Sequence, residues 1–240
     1  MNLVIPEPSI PIDPALRTQL AYYEARASEY DAWWKREGRY DRGPEATAAW
    51  FQEAALLEQA LDAFQPRGRI LELACGTGLW SRKLLPHADS LTVIDGSAEM
   101  LKICAARLQS PSVNYLQADL FDWQPAATFD TVFFSFWLSH VPPEKFEAFM
   151  SMVRKCLAPG GRIFFIDSRH EPASTANDHQ LPPPEAGVLT RRLDDGREFQ
   201  IYKVFYELPA LKDRLATLGW NVDAWNTPRF FLYGAGHRME

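Results

Sequence analysis

A chain of 240 residues with 47% hydrophobic and 23% charged residues can bury a sizeable core as one large α/β unit. Asp plus Glu number 31 against 25 for Lys plus Arg, a formal net charge of −6, and this argues against nucleic acid as the main partner. No apolar run approaches the roughly 18 residues of a membrane span, so no membrane partner is expected. The three cysteines, Cys75, Cys104 and Cys156, lie far apart. That spacing excludes a disulfide scaffold and a Cys-rich zinc site and fits a reducing cytoplasm.

Residues 1–14 contain Pro6, Pro8, Pro11 and Pro14 and no basic leader, so they read as an extended arm and not as a signal peptide. The stretch ALRTQLAYYEARASEYDAWWKREGR reads as one helix. After Gly43-Pro44 a second helix follows, with Trp50, Ala54, Leu57 and Leu61 at helical spacing, and Pro66 and Gly68 end it. Residues 15–66 therefore read as a helical cap. From Arg69 strands and helices alternate: RILELA, LWSRKLLPHA, SLTVID, SAEMLKICAARL, VNYLQAD, FDTVFFSFWL, PPEKFEAFMSMVRKCL and RIFFID. Repeated β-α-β units at this spacing mean a parallel sheet with helices on both faces. The fourth strand is the most apolar, as a central strand buried on both sides should be. Past Asp167 the rhythm breaks into a polar, Pro-rich loop and a hairpin around Asp195-Gly196, an insertion over residues 170–205. One more helix and two final strands close the chain.

Chemistry concentrates at the ends of the first four strands. At Ile70–Trp80 a buried strand ends in a Gly-rich turn that opens a helix. Gly76 and Gly78 let that turn be tight and let a ligand approach the backbone near a helix N-terminus. The plainer reading is a β-α turn that merely needs glycine. Asp95 ends the second strand where an acidic residue grips ribose hydroxyls, because a carboxylate accepts two hydrogen bonds from a diol. Its plainer role is a helix cap. Asp119 ends the third strand and can accept from an adenine amino group, with Leu120 as an apolar wall. All these strand ends share one rim of the sheet.

The run E-L-A-C-G-T-G, with V-I-D-G-S, A-D-L and L-A-P-G-G-R, resembles the class I S-adenosylmethionine-dependent methyltransferases. The likeness extends from Arg69 to the C-terminus. It implies an α/β, Rossmann-like fold: a mostly parallel seven-stranded sheet with an antiparallel terminal strand, over residues 67–240, plus the N-terminal helical cap. By this resemblance S-adenosylmethionine is the cofactor. Glu72 would order the cofactor loop, and the backbone from Ala74 through Gly76 to Gly78 would face the methionine part. Asp95 and Gly96 would hold the ribose, and Met100 would pack near the adenine with Asp119 and Leu120. Ser135 and Phe136 would line the sulfonium region. The family commonly has Gly where this chain has Ala74, and the extra methyl is expected to matter little. A nicotinamide dehydrogenase shares the Gly-rich turn, but no Tyr-x-x-x-Lys pair occurs here.

For the transfer step, His140 stands beyond the fourth strand with the basicity of a general base near neutral pH. Its plainer role is packing or capping. The cap carries Tyr22, Tyr23, Arg26, Tyr30, Trp33 and Trp34. By the resemblance Tyr30 belongs to a lid over the cofactor, and the adjacent Tyr22 and Tyr23 are expected not to face one way. Tyr22, Trp137, Arg169 and Tyr206 are candidates for holding the acceptor, with most other late charges expected in solvent. His170, Asp178 and His179 match no standard metal spacing, so no metal is expected. The expected function is methyl transfer to a small, apolar or aromatic acceptor, with oxygen favoured because of His140. The alternatives are N- or carboxyl-methylation, or a non-catalytic cofactor-binding subunit.

Overall fold

The computed structural model describes residues 14–239, so the arm expected over residues 1–14 lies, apart from Pro14, outside the described residues. The helices are α1 (Pro14–Arg26), α2 (Tyr30–Lys35), α3 (Pro44–Phe64), α4 (Ser81–Leu84), α5 (Ala98–Leu108), α6 (Phe146–Cys156) and α7 (Leu208–Thr217). The strands are β1 (Arg69–Leu73), β2 (Ser90–Asp95), β3 (Val113–Gln117), β4 (Phe129–Ser135), β5 (Leu157–Ser168), β6 (Val188–Arg192), β7 (Glu198–Tyr202), β8 (Trp220–Asn226) and β9 (Phe231–Arg238).

Seven strands form one sheet in the order β3-β2-β1-β4-β5-β9-β8, and β6 pairs with β7 as a separate antiparallel hairpin. Strands β1 to β5 pair in parallel, and β9 runs antiparallel to both β5 and β8. The strand order reverses between β1 and β4, which opens a crevice at their carboxyl ends. Successive β4 side chains point to opposite faces. Phe133 stacks on Phe164 at 6.1 Å on one face, and Phe134 stacks on Phe165 at 5.6 Å on the other. Each face thus has its own core. Helices α6 and α7 cover the Phe134 side, and α3, α4 and α5 cover the Phe133 side. Burying each such ring stabilises the fold by roughly 1.5–3 kcal/mol. The α3 residues predicted for the core, Trp50, Ala54, Leu57 and Leu61, are all buried.

Two departures from the sequence reading shape the roof and the sheet. The single helix expected over the cap is broken at residues 27–29, although no Gly or Pro stands there. The break serves two different packings. Helix α1 lies on the hairpin, where Thr18 Oγ1 donates to the Gln200 carbonyl at 2.6 Å and Tyr202 N donates to Gln19 Oε1 at 3.0 Å. Helix α2 instead sends Trp33 and Trp34 into the main core, with the Trp33 ring 4.9 Å from Phe136 and the Trp34 ring 5.8 Å from Trp50. Second, Ala158-Pro159-Gly160-Gly161 does not precede β5 as a stop but belongs to it, with a register shift opposite Phe129 and Thr131.

The long loop is held by arginines of the cap. Arg36 Nη2 donates to the Ala173 carbonyl at 2.5 Å, Arg42 Nη2 to the Ala176 carbonyl at 3.0 Å, and Arg39 pairs with Asp178 at 2.6 Å. Cap, loop and hairpin together roof the crevice. Among the described residues no helix is long and apolar enough to cross a membrane.

Candidate active site

Two adjoining pockets occupy the crevice. The first encloses about 730 Å³ of space, part of it open to solvent, a size usual for small-molecule sites. Of the twelve residues expected to hold the cofactor, Tyr30, Ala74, Gly76, Asp95, Gly96, Met100, Asp119, Leu120, Ser135 and Phe136 line it. Glu72 and Gly78 do not. Glu72 is 1% exposed beneath the turn, where it accepts from the Ser81 hydroxyl. Gly78 faces away from the pocket and lies against α5, since a Cβ on it would fall 2.6 Å from Cys104 Sγ. Trp137, expected against the acceptor, lines this first pocket instead.

The backbone of the rim is bent to shape. Ala74 has φ 54 and Phe136 has φ 54, both in the left-handed region that L-residues enter at a cost of about 1–2 kcal/mol. The methyl at Ala74 therefore carries a conformational cost that its size alone does not suggest. At Phe136 the twist follows the end of β4, where Phe136 N donates to the Ile166 carbonyl at 2.7 Å. It turns the ring into the crevice, against Trp33.

The first pocket suits a nucleoside. Asp95 accepts from Gly76 N at 2.8 Å and from Ser97 N at 2.9 Å, which aims the carboxylate across the turn and leaves further lone pairs. Burial pushes its pKa up to about 6, against the pull of those N–H groups. Asp119 accepts from Phe121 N at 2.9 Å and also lines the pocket. Met100, Leu120, Leu16 and Leu20 supply apolar walls. A carboxylate for a diol, a second for an amino group and apolar surface between them fit the ribose and adenine of S-adenosylmethionine. Gly96 permits the close approach of the cap, since a Cβ there would lie 2.8 Å from Leu20 Cδ1.

The cap is clasped to this site. Thr77 Oγ1 donates to Asp31 Oδ1 at 2.7 Å, and Arg107 pairs with the other Asp31 oxygen while its Nη1 donates to the Thr77 carbonyl at 2.6 Å. Ser97 Oγ donates to Glu24 Oε2 at 2.5 Å. Both contacts join the cap to segments bordering the first pocket.

The second pocket lies under α1, the long loop and the hairpin. Among the described residues it shares Tyr23, Tyr30 and Phe136 with the first, so those rings form the passage between them. Tyr22 lines it, as do Arg26, His140, Arg191 and Lys203. Tyr22 and Tyr23 are neighbours in sequence, yet both reach this pocket, with their rings edge-on at 5.1 Å. Tyr22 does so from a small core with Leu189, Leu193 and Ile201. Arg169 and Tyr206 reach neither pocket. Arg169 Nη1 is drawn to the carbonyls of Thr227 at 2.7 Å and Pro228 at 2.9 Å, and the Tyr206 hydroxyl donates to the Leu138 carbonyl at 3.4 Å.

His140 is buried in the second pocket's wall. Its Nδ1 lies 2.6 Å from the Tyr202 carbonyl and its Nε2 lies 2.8 Å from the Tyr23 hydroxyl. A carbonyl only accepts, so Nδ1 carries the proton and Nε2 accepts from Tyr23. Burial, aided by the Lys203 charge, holds the imidazole pKa well below 6.5. Lys203 Nζ donates to Ser139 Oγ at 2.7 Å and faces Asp167 at 3.5 Å. Arg191 Nη1 donates to Thr175 Oγ1 at 2.5 Å and faces His179 Nδ1 at 3.2 Å. Arg26 Nη2 donates to the Tyr40 hydroxyl at 3.2 Å, and the guanidinium lies over the Tyr30 ring at 5.0 Å. Among the described residues neither Arg26 nor Arg191 has a carboxylate within 4.0 Å. Asp178 is bound by Arg39, while His170 Nε2 faces the Pro182 carbonyl at 2.9 Å.

The sequence reading did not single out the wall residues Leu16, Gln19 and Leu20 or the cation Lys203, and it expected most late charges, Arg191 among them, to lie in solvent, whereas Tyr23 joins this wall and Arg191 and Lys203 line the second pocket. The wall residues, Tyr23 included, recur at i, i+3, i+4 and i+7, a helical stripe. Arg191 alternates with Leu189 and Leu193, and Lys203 with Ile201, so strand period two puts both cations on the buried face of the hairpin.

A sheet with a single antiparallel strand and a nucleoside-shaped pocket at its switch point define a class of protein. The chain belongs to the class I S-adenosylmethionine-dependent methyltransferases. Residues 70–161 match the family model described as "Methyltransferase domain". A ubiquinone biosynthesis O-methyltransferase of Xanthomonas axonopodis pv. citri (strain 306) is 32% identical over 177 residues, 70% of this chain and 69% of that protein. A trans-aconitate 2-methyltransferase of Acidovorax sp. (strain JS42) is 29% identical over 162 residues, 66% of this chain. The chain spans 59% of that relative's length. A solved structure described as "DhpI-SAM-HEP complex" is 39% identical, with a TM-score of 0.76, covering 95% of this chain and 100% of that one.

Proposed function

We propose that the chain transfers a methyl group from S-adenosylmethionine to an anionic oxygen of a small acid held in the second pocket. The observation that carries this reading is the pair Arg26 and Arg191, turned into a buried pocket with no carboxylate partner among the described residues. Uncompensated buried guanidinium groups are costly, and an anionic acceptor relieves that cost on binding. When bound, S-adenosylmethionine supplies a methyl group on a positively charged sulfur, which an anionic oxygen takes with no proton to remove.

The residues of the chain then orient and enclose. Asp95 and Asp119 hold the nucleoside, Tyr23, Tyr30 and Phe136 line the passage for the methyl group, and the arginines place the acceptor oxygen. His140 fixes the Tyr23 ring at the mouth of that passage and removes no proton. This differs from the apolar acceptor and the base expected from the sequence. The Acidovorax relative is named for trans-aconitate, itself a carboxylate, which is in keeping with an acid acceptor.

The test is a screen of small carboxylates, phosphates and phosphonates beside phenols and amines, reading release of S-adenosylhomocysteine. Turnover with an oxyacid is expected. Turnover with phenols or amines alone would sink the proposal.

A further inference from the structure

We propose that the second pocket counts charge: it takes an acceptor with two negative charges on one oxyacid head group and rejects the singly charged methyl ester, so the chain adds one methyl and stops. This rests on the acid-acceptor reading above and goes one step past it, from the sign of the acceptor's charge to its size.

The count comes from the charged groups of the pocket and their partners. Arg26, Arg191 and Lys203 are cations. The carboxylate beside them is Asp167, which already accepts from Ser139 N at 2.8 Å and Ser168 N at 2.7 Å and faces Lys203 at 3.5 Å. His140 and His179 are neutral, both pushed down by burial, His179 to about 4. The nearby carboxylates of the cap and hairpin are engaged elsewhere: Asp178 and Asp194 with Arg39, Glu24 with Ser97, and Glu29 with Asp194 N. Among the described residues two positive charges remain without a carboxylate partner, those of Arg26 and Arg191. Both line the same pocket, and burial, together with the Arg26 charge, weakens the hold of Arg191 on its proton. Two cations that share one pocket without a carboxylate partner among the described residues suit one doubly charged head group better than two separated carboxylates.

Methylation changes that charge by one. A lone pair on an acceptor oxygen forms the new O–C bond, the C–S bond breaks with its electron pair left on sulfur, and no proton moves. The dianion leaves the step as a monoanion. One guanidinium loses its ionic partner while still buried, and a charge-assisted hydrogen bond of this kind is worth about tenfold or more in affinity. The product is released because the pocket no longer suits it, and a second methylation lacks a well-bound acceptor.

Calorimetry on the full chain saturated with S-adenosylhomocysteine, at a mildly alkaline pH, tests the count with three probes. Methyl phosphate carries two charges on one centre, dimethyl phosphate carries one, and succinate carries two on separate centres. Methyl phosphate is expected to bind at least about tenfold tighter than dimethyl phosphate and tighter than succinate. Arg26→Gln and Arg191→Gln should each bring the two phosphate esters within about twofold, while Arg191→Lys, which keeps the charge, should retain a preference. A thermal shift on adding S-adenosylhomocysteine shows that each variant is folded. Equal binding of the two esters by the parent chain, or a preference that survives in both Gln variants, overturns the charge count. Succinate binding as tightly as methyl phosphate overturns the single head group. If oxyacids are methylated while the two esters bind alike, the acid-acceptor reading stands and only this inference falls. If neither ester nor succinate binds and only phenols or amines are methylated, both fall together.

Discussion

The Tyr23 hydroxyl lies 2.8 Å from His140 Nε2, which gives the one basic nitrogen of this buried imidazole a partner already. With Nδ1–H held by the Tyr202 carbonyl and the pKa pulled down by burial, His140 is a weak base with no free lone pair. His140→Gln should therefore keep kcat within about tenfold on the true acceptor, below the 10²–10⁴-fold that loss of a general base costs. The parent's rate should show no acid limb that vanishes in the variant. A loss of about 10³-fold together with a vanished limb would restore the base assignment.

The same histidine is linked to stability. His140 and His179 both have folded pKa values below the unfolded 6.5, so each contributes stability that is present above that value and lost as the pH falls, because the unfolded chain then binds more protons. Asp95 has the opposite sign: its contribution is present below 3.8 and lost as the pH rises to about 6. Urea unfolding of the ligand-free chain at about pH 7.5, 6.5 and 5.5 should show falling stability, by up to about 1.4 kcal/mol per pH unit for each histidine. His140→Gln should remove one histidine's share and leave that of His179. Equal slopes in parent and variant would mean that His140 takes up its proton at the same pH in the folded and the unfolded chain, and so is not held neutral by burial.

How much of this was legible depended on whether the cause was local. The parallel strands and their shared rim follow from signals carried by neighbouring residues: the glycines of the turn, Asp95 at a strand end, and the apolar run of β4. The break between α1 and α2 has no such signal, since Arg26 to Tyr30 contains neither Gly nor Pro. It exists because the hairpin binds one half of the cap and the Trp33–Trp50–Phe136 cluster binds the other. The role of Arg169 was misjudged for a similar reason. Its neighbours in sequence place it near the rim, but the β8–β9 connection brings two carbonyls that take it away. Arg191 and Lys203 were readable from strand alternation once the hairpin was granted a buried face.

Asp95 supplies a test of the first pocket. The diol of a ribose needs an ionised carboxylate, and Asp95 of the ligand-free chain titrates at about 6. Affinity for S-adenosylhomocysteine should therefore fall as the pH drops below that value. Asp95→Asn should weaken binding by roughly 1.5–3 kcal/mol near neutral pH and flatten the pH dependence. Calorimetry of both proteins across this range reads the effect. Full affinity in the variant would remove Asp95 from the cofactor site.

The turn itself separates two reasons for needing glycine. Ala74, at φ 54, bears a strain that a glycine would not, whereas Gly78, at φ 81, has no room for a side chain. A Cβ at position 78 would meet Cys104 Sγ at 2.6 Å and the Cys104 Cα at 3.2 Å, and that backbone belongs to α5 and cannot give way cheaply. Ala74→Gly should stabilise the ligand-free chain by about 0.5–1 kcal/mol, the relief of the left-handed strain less the added freedom of the unfolded chain. Gly78→Ala should destabilise it by about 2–5 kcal/mol, combining left-handed strain with overpacking. Urea unfolding of the two single variants decides the matter. If Ala74→Gly proves destabilising, residue 74 does not sit in the left-handed region. If Gly78→Ala is neutral, α5 and the turn are not packed as closely as their contact through Cys104 requires.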